Sequence, residues 1–339
     1  MNKNISKILI IGFGASGIRH FKILKKILPN VEIRILRSKI SKNKKDNKLN
    51  KIFIYKLNEA LKFKPQISVI CSPATKHIET AKLLAKNKSD LFIEKPLSSE
   101  LKGITELIKI RNKYNLKIQV GYNLRFDESL KRYRNLILKG IVGDIYSIRC
   151  EAGSYLPGWR PKIDYRNSVS AKKELGGGVL LELSHEIDYL QWIFGKIISV
   201  NSKVVRHSAL DIDVEDTSYL ILKFKSEDNP GSIFGNLVLD FIRHDPTRKC
   251  LAIGSNGSLS WCYYSGDIKL FKNNKWKKIY SRSKNINESY LTQWKNFLKK
   301  SNKDHENSLE DSIKVLNVIN SAKSSNKLSG KTCVIKNEK

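Results

Sequence analysis

The segment that most constrains this chain is the short apolar run at residues 7–11, which leads directly into Gly12-Phe13-Gly14-Ala15-Ser16-Gly17. Ile18, Phe21, Leu24, Ile27 and Leu28 follow at helical spacing, until Pro29-Asn30 breaks the pattern. A Gly-x-Gly-x-x-Gly loop between a strand and a helix has a physical meaning. The glycines allow a tight turn and close approach of the backbone, and the helix N-terminus receives a pyrophosphate. Gly12, Phe13, Gly14, Ala15, Ser16 and Gly17 are therefore candidate dinucleotide contacts. An ordinary glycine-rich turn is the plain alternative.

The next hundred residues alternate strand and helix. Apolar runs at 31–36, 52–55, 67–71, 91–94 and 117–122 read as strands, and 75–86 and 99–114 read as helices. Repeated βαβ units predict a doubly wound, mostly parallel sheet, a Rossmann domain over residues 1–122. The rhythm then changes. A helix is expected at 128–139, a strand at 145–152, and a polar loop rich in Arg, Tyr and Trp at 155–173. An apolar helix at 179–194 follows Gly176-Gly177-Gly178. From 198 to 280 strand follows strand, with turn signals at Asn229-Pro230-Gly231, Ser255-Asn256-Gly257 and Lys272-Asn273-Asn274. Helices at 289–299 and 309–322 close the chain. Residues 123–339 thus read as an α+β domain on an open, largely antiparallel sheet, for substrate binding and oligomerisation.

Length and composition narrow the function. With 339 residues, 40% of them hydrophobic, the chain has material for two packed cores. No apolar run approaches the roughly 18 residues of a membrane span. The apolar stretch at 8–11 is shorter than the core of a secretory leader, so a cytoplasmic protein is expected. The five cysteines include no Cys-x-x-Cys pair, which gives neither a disulfide framework nor a metal site. The net charge of +31 raises nucleic acid as a partner. The lysines, however, are spread along the whole chain beside many asparagines and isoleucines, as composition bias produces. The densest cluster, 39–51, lacks interleaved aromatics, so no specific nucleic-acid partner is expected.

Ligands of doubly wound sheets bind beyond the carboxyl ends of the strands. Glu94-Lys95-Pro96 closes one strand there and so faces the same crevice as the glycine loop. Lys95 reads either as a group that meets the substrate beside a nicotinamide or as a surface lysine, and the Lys95–Pro96 bond is a candidate cis peptide. The second strand ends in Arg37-Ser38, where an acid that binds the ribose 2′-hydroxyl of NAD is usual; the next acid is Asp46. Arginine plus hydroxyl suits a 2′-phosphate, which favours NADP over NAD, against a merely solvated arginine. Glu182, His185 and Asp188 share a face of the helix at 179–194, which makes His185 either a carboxylate-tuned base or a capped, half-buried histidine. Tyr155, Trp159, Arg160, Tyr165 and Arg166 in the long loop suit a sugar bearing a carboxylate or phosphate, and equally an oligomer interface.

Taken together, these motifs resemble the Gfo/Idh/MocA family (glucose–fructose oxidoreductase, inositol dehydrogenase). The resemblance rests on the glycine loop through Arg19-His20, Ser72-Pro73 with His77, Glu94-Lys95-Pro96, Gly121-Tyr122-Asn123-Leu124-Arg125-Phe126, and Gly176-Gly177-Gly178 through His185-Glu186-Ile187-Asp188. Ser308-Leu309-Glu310-Asp311-Ser312 adds to it near the end. It implies that Lys95 and His185 are the catalytic residues and that Asn123 and Arg125 lie near nicotinamide and substrate. It also implies that Ser72, Pro73, His77 and Glu94 border the cofactor. One departure stands out: the family usually has an aspartate four residues before the histidine, whereas here Glu182 stands three before it. The activity implied is hydride transfer between NADP, or NAD, and a secondary alcohol or ketone of a sugar, sugar acid or nucleotide sugar, in a homo-oligomer. Either Lys95 or His185 serves as the base. A nucleotide sensor without catalysis on the same fold is the rival reading.

Overall fold

The computed structural model describes residues 5–37, 51–225, 232–283, 285, 287–299 and 307–335. Ser38, Asp46, the turn signal at 229–231 and the basic cluster up to residue 50 lie outside the described residues. The chain divides into two compact units. Met1–Tyr122 and Tyr290–Ser312 form one, and Asn123–Ser289 and Ile313–Lys339 form the other. The first unit is therefore discontinuous in sequence, which a single division at Tyr122 does not capture.

In the first unit, strands β1 (Lys7–Ile11), β2 (Glu32–Leu36), β3 (Phe53–Ile54), β4 (Ile67–Ile70), β5 (Asp90–Ile93) and β6 (Ile118–Val120) pair in parallel. Their order is β3-β2-β1-β4-β5-β6, the doubly wound Rossmann arrangement expected from the sequence. Sequences such as Lys-Ile-Leu-Ile-Ile in β1 are nearly all apolar because helices cover both faces of a parallel sheet. These helices are α1 (Ala15–Ile27), α2 (Leu57–Lys62), α3 (His77–Lys86) and α4 (Ile104–Tyr114). Helix α4 begins five residues later than its apolar spacing suggests, because Gly103 turns the chain at φ +82 immediately before it. The Lys95–Pro96 peptide is cis.

The returning segment explains the discontinuity. Trp294 and Phe297 are buried with Ile8, Leu24, Ile35, Val69 and Phe92 in one apolar cluster. Trp294 stacks on Phe92 with centroids 4.5 Å apart. Asn307 donates from Nδ2 to the Tyr122 carbonyl at 2.7 Å, and Ser308 bridges Gln119 in antiparallel fashion. Edge strand β6 is thereby covered.

The second unit opens with α5 (Glu128–Leu138), capped by Asp127, and β7 (Ile145–Gly153). Helices α6 (Val179–Glu182) and α7 (His185–Phe194) follow, and then seven strands: β8 (Ile197–Val205), β9 (Thr217–Phe224), β10 (Ile233–Asp240), β11 (Thr247–Gly254), β12 (Gly257–Cys262), β13 (Asp267–Lys272) and β14 (Lys275–Ser281). With β15 (Cys333–Val334) they form a nine-stranded sheet ordered β14-β13-β12-β11-β7-β10-β9-β8-β15. Only the central β7–β10 pair is parallel, so the sheet is largely antiparallel, as expected. Helices α8 (Glu288–Phe297) and α9 (Leu309–Lys327) complete the chain.

Candidate active site

The three glycines of the first loop meet different demands. Gly12 has φ +89, and a Cβ there would lie 2.7 Å from the Cys71 carbonyl oxygen. A Cβ on Gly17 would lie 2.2 Å from the Gly12 oxygen, so the first turn of α1 packs directly on the loop. Gly14 is exposed and a Cβ there would meet nothing within 4 Å. It leaves open space at the N-terminus of α1, which has no side-chain cap and no acid in its first turn. An anion fits there. Beside it, Ser72 Oγ is buried without a hydrogen-bond partner, and a Cβ on Gly12 would lie 3.2 Å from the Ser72 nitrogen. An orphaned hydroxyl at the strand-end crevice fits a polar ligand in the same cradle.

At the end of β2, the Arg37 guanidinium lies 4.8 Å from the Phe53 ring centroid and 5.9 Å from that of Phe13. The two rings hold a cation where the fold places the adenosine ribose.

Glu94 and Lys95 follow β5. Glu94 is buried, its Oε1 2.7 Å from His20 Nε2, while its Oε2 accepts from the Lys95 backbone N–H at 3.1 Å. Burial alone would raise the Glu94 pKa. The His20 hydrogen bond and the charges of Lys95 and Arg19 outweigh it and hold the carboxyl below its usual value. Gly121 lies tightly opposite, since a Cβ there would lie 3.1 Å from Glu94 Oε2 and 3.2 Å from Lys95 N. The neighbouring Cys71 thiol is pushed well up by burial and by Glu94, so it is no nucleophile.

His77, expected at the cofactor, is buried, and both ring nitrogens face backbone carbonyls. Its Nδ1 lies 2.9 Å from the Pro96 carbonyl oxygen and its Nε2 2.8 Å from that of Ser72. The imidazole lies between the loop after β4 and the loop after β5; with a single ring proton it donates to one of these two carbonyls. Burial lowers its pKa, partly offset by the two carbonyls and by Glu94.

In the second unit the helix expected at 179–194 is interrupted. Leu183, at φ −101 and ψ 31, leaves helical geometry, so α6 ends at Glu182 and α7 starts at His185. Glu182, His185 and Asp188 therefore do not lie on one continuous helical face. Asp188 is committed to Arg125: Oδ2 accepts from Nε at 3.0 Å and Oδ1 from Nη2 at 2.7 Å, with both side chains buried. Arg125, expected near substrate, is thereby tied to α7 and lies 5.8 Å from the Trp192 ring centroid. Glu186 is likewise occupied, accepting from Arg248 Nε at 2.6 Å. Glu182 is half-buried and His185 buried at the first turn of α7. Asn123 is buried and donates from Nδ2 to Ser289 Oγ at 2.8 Å.

The expected substrate loop is a series of 3-10 turns. Trp159 donates from Nε1 to Ser154 Oγ at 2.7 Å and packs edge-on against Phe241. Tyr155 lies over His244, centroids 4.1 Å apart. Tyr165 Oη accepts from the Asp211 N–H. Arg166 is exposed and clasped by Asp164, from Nε at 2.9 Å and from Nη2 at 2.8 Å, an arrangement that lowers the Asp164 pKa and raises that of Arg166. Arg160 is exposed at the edge of a small cavity lined by Leu156, Trp159, Ile163, Tyr165, Ser168 and Ser170. Ser168 Oγ is buried there without a hydrogen-bond partner.

Comparison with known proteins agrees with this architecture. Residues 6–122 match the model of an oxidoreductase family with an NAD-binding Rossmann fold, and residues 130–260 match the GFO/IDH/MocA C-terminal domain. The two matches together cover more than half of the chain, and the chain belongs to the Gfo/Idh/MocA family of oxidoreductases, its first unit being the NAD-binding domain. Among relatives, the myo-inositol 2-dehydrogenase of Thermotoga maritima is 27% identical over 232 residues, covering 65% of each chain. An uncharacterised oxidoreductase, YrbE, of Bacillus subtilis is 26% identical over 64% of this chain and 63% of its own. The matched stretches thus span less than two thirds of these relatives' lengths. Two solved structures share the fold at 15% identity. WlbA dehydrogenase of Bordetella pertussis, in complex with NADH and UDP-GlcNAcA, has a TM-score of 0.80, with 98% of this chain and 99% of that one covered. Levoglucosan dehydrogenase, in complex with NADH and L-sorbose, has a TM-score of 0.82 with the same coverage.

Two contributors escaped the sequence reading. His20 was visible only as part of a motif, and Trp294 carried no signal except its size. Nothing in local sequence links His20 to Glu94 or Trp294 to His20, because these contacts span 74 and 274 residues.

Proposed function

We propose that the protein is a nicotinamide-dependent dehydrogenase or reductase acting on a secondary alcohol or ketone of a sugar-type substrate. The observation that carries this reading is the shared strand-end crevice of the first unit: an open glycine loop, the orphaned Ser72 hydroxyl and Lys95 held at its backbone. When bound, the cofactor would accept or deliver hydride at C4 of its nicotinamide. Gly12, Gly14, Gly17, Ser72 and Arg37 would hold it. Lys95 polarises the substrate oxygen, and His185 takes or gives the hydroxyl proton; in the variant assignment the lysine is the base. Both groups belong to types able to move a proton near neutral pH when suitably placed. The family resemblance assigns Asn123 and Arg125 to nicotinamide and substrate.

The cofactor choice proposed is NADP over NAD, on the strength of the Arg37 guanidinium at the tip of β2 and the absence of an acid at that position. The relatives solved with NADH make NAD the competing choice. For substrate, Arg160 and the orphaned Ser168 hydroxyl favour an anionic, hydroxyl-rich molecule, a sugar acid or nucleotide sugar. The exposed Tyr219, Ile221 and Phe234 on neighbouring strands β9 and β10 support a homo-oligomer built on this sheet. Fluorescence titration with NADPH and NADH tests the reading. Binding of neither would refute it, and tighter NADH binding would refute the NADP preference.

A further inference from the structure

Three buried side chains around Lys95 form a chain of hydrogen bonds with a fixed direction. Trp294 Nε1, which can only donate, lies 2.8 Å from His20 Nδ1. His20 Nδ1 therefore accepts, the ring proton sits on Nε2, and Nε2 donates to Glu94 Oε1 at 2.7 Å. The other carboxylate oxygen accepts from the Lys95 backbone N–H at 3.1 Å. Trp294, His20 and Glu94 are 0%, 1% and 8% exposed. The rings are fixed by packing, since His20 meets Phe92 edge-on at 5.0 Å and Phe92 stacks on Trp294. His77 Nδ1 lies 2.9 Å from the Pro96 carbonyl oxygen, one residue beyond Lys95.

We propose that Trp294, His20 and Glu94 are positioning residues that hold Lys95 toward the bound cofactor, with the indole N–H of the returning helix setting the polarity of the relay. The proposal rests on the reading of Lys95 as the site lysine. Apolar side chains would fill this volume without the desolvation cost of a buried carboxylate and imidazole. The polar chain ends instead on the backbone of the one residue the reaction needs placed. It also gives the Tyr290–Ser312 return a role beyond covering the sheet edge.

The test is competitive acylation of lysines with acetic anhydride in the full chain, read at Lys95 by mass spectrometry, with and without saturating NADPH (or NADH, if that binds tighter). In the native chain the cofactor should protect Lys95. In Trp294→Phe, which keeps an aromatic ring against Phe92 but loses the N–H together with part of the indole's volume, protection should fall about fivefold, the scale of one buried hydrogen bond. His20→Leu should lose it equally, and His20→Gln, which can both accept and donate, should restore most of it. Nitrogen-15 NMR of the native chain should show His20 protonated at Nε2 and not at Nδ1. Unchanged protection in Trp294→Phe and His20→Leu, or a proton on Nδ1, would overturn the relay. If the variants do not fold, the NMR result alone decides. If the cofactor binds but never protects Lys95 in the native chain, the placement of Lys95 itself is wrong.

Discussion

The Lys95 corner of the first unit and the 155–170 loop of the second both hold residues expected at the site, yet they are built in opposite ways. Around Lys95, buried polar groups hold one another: Glu94 is bonded to His20, and His20 to Trp294. In the loop, Arg160 and Arg166 are exposed, and Arg166 is satisfied by Asp164 two residues away. The first region is pre-organised for one geometry, as proton chemistry requires. The second presents exposed guanidinium groups at its surface. The two regions thus differ in how far their polar groups are fixed before any ligand binds.

The largest expected effect tests pre-organisation within the second unit. Arg125→Met or Asp188→Leu leaves one member of a buried bidentate pair without its partner and should cost about 3–5 kcal/mol in denaturant unfolding. Arg125→Met combined with Asp188→Leu should recover much of that loss. If the single variants unfold like the native chain, the pair does not organise the start of α7. Next in size is Arg37→Asp, which should weaken NADPH by about 1–3 kcal/mol and NADH by less, in the same titration.

Acid then probes the Lys95 corner. The Glu94 pKa is lowered on folding, so its contribution to stability is complete above the ordinary glutamate value of 4.5 and is lost as pH falls through the folded value. Glu94→Gln should flatten the decline in stability below that pH; an unchanged acid limb would show that the carboxylate is not held as described. The smallest effect is expected in the loop. Arg160→Ala should raise KM for the true substrate about tenfold, and Arg166→Ala, whose guanidinium is already satisfied locally, by no more than about twofold. The reverse order would mean that the Asp164 clasp opens for substrate.

Legibility followed the same division. The parallel sheet, the glycine loop and the strand-end lysine were readable because each depends on local periodicity or on residues within one turn. The interruption at Leu183 was not, since the apolar spacing of 179–194 continues unbroken through it. The pairing of Arg125 with Asp188 and of His20 with Trp294 was hidden for another reason, namely that these are long-range contacts of buried polar groups. Neither the Arg125–Asp188 pair nor the His77 contacts with the Pro96 and Ser72 carbonyls could be read from local sequence. The return of Tyr290–Ser312 to the first unit was likewise invisible, because a helix pattern does not say which apolar face it covers.

The central claim is that Lys95 and His185 serve a single hydride-transfer reaction, and a double-mutant cycle on turnover tests it most directly. With NADPH and the identified substrate, Lys95→Ala and His185→Ala should each lower kcat by about 10²–10⁴ while NADPH still binds. The double variant should fall well short of the product of the two losses, because either change disables the same proton transfer. Near-normal turnover in either single variant, or fully multiplicative losses in the double, would contradict it.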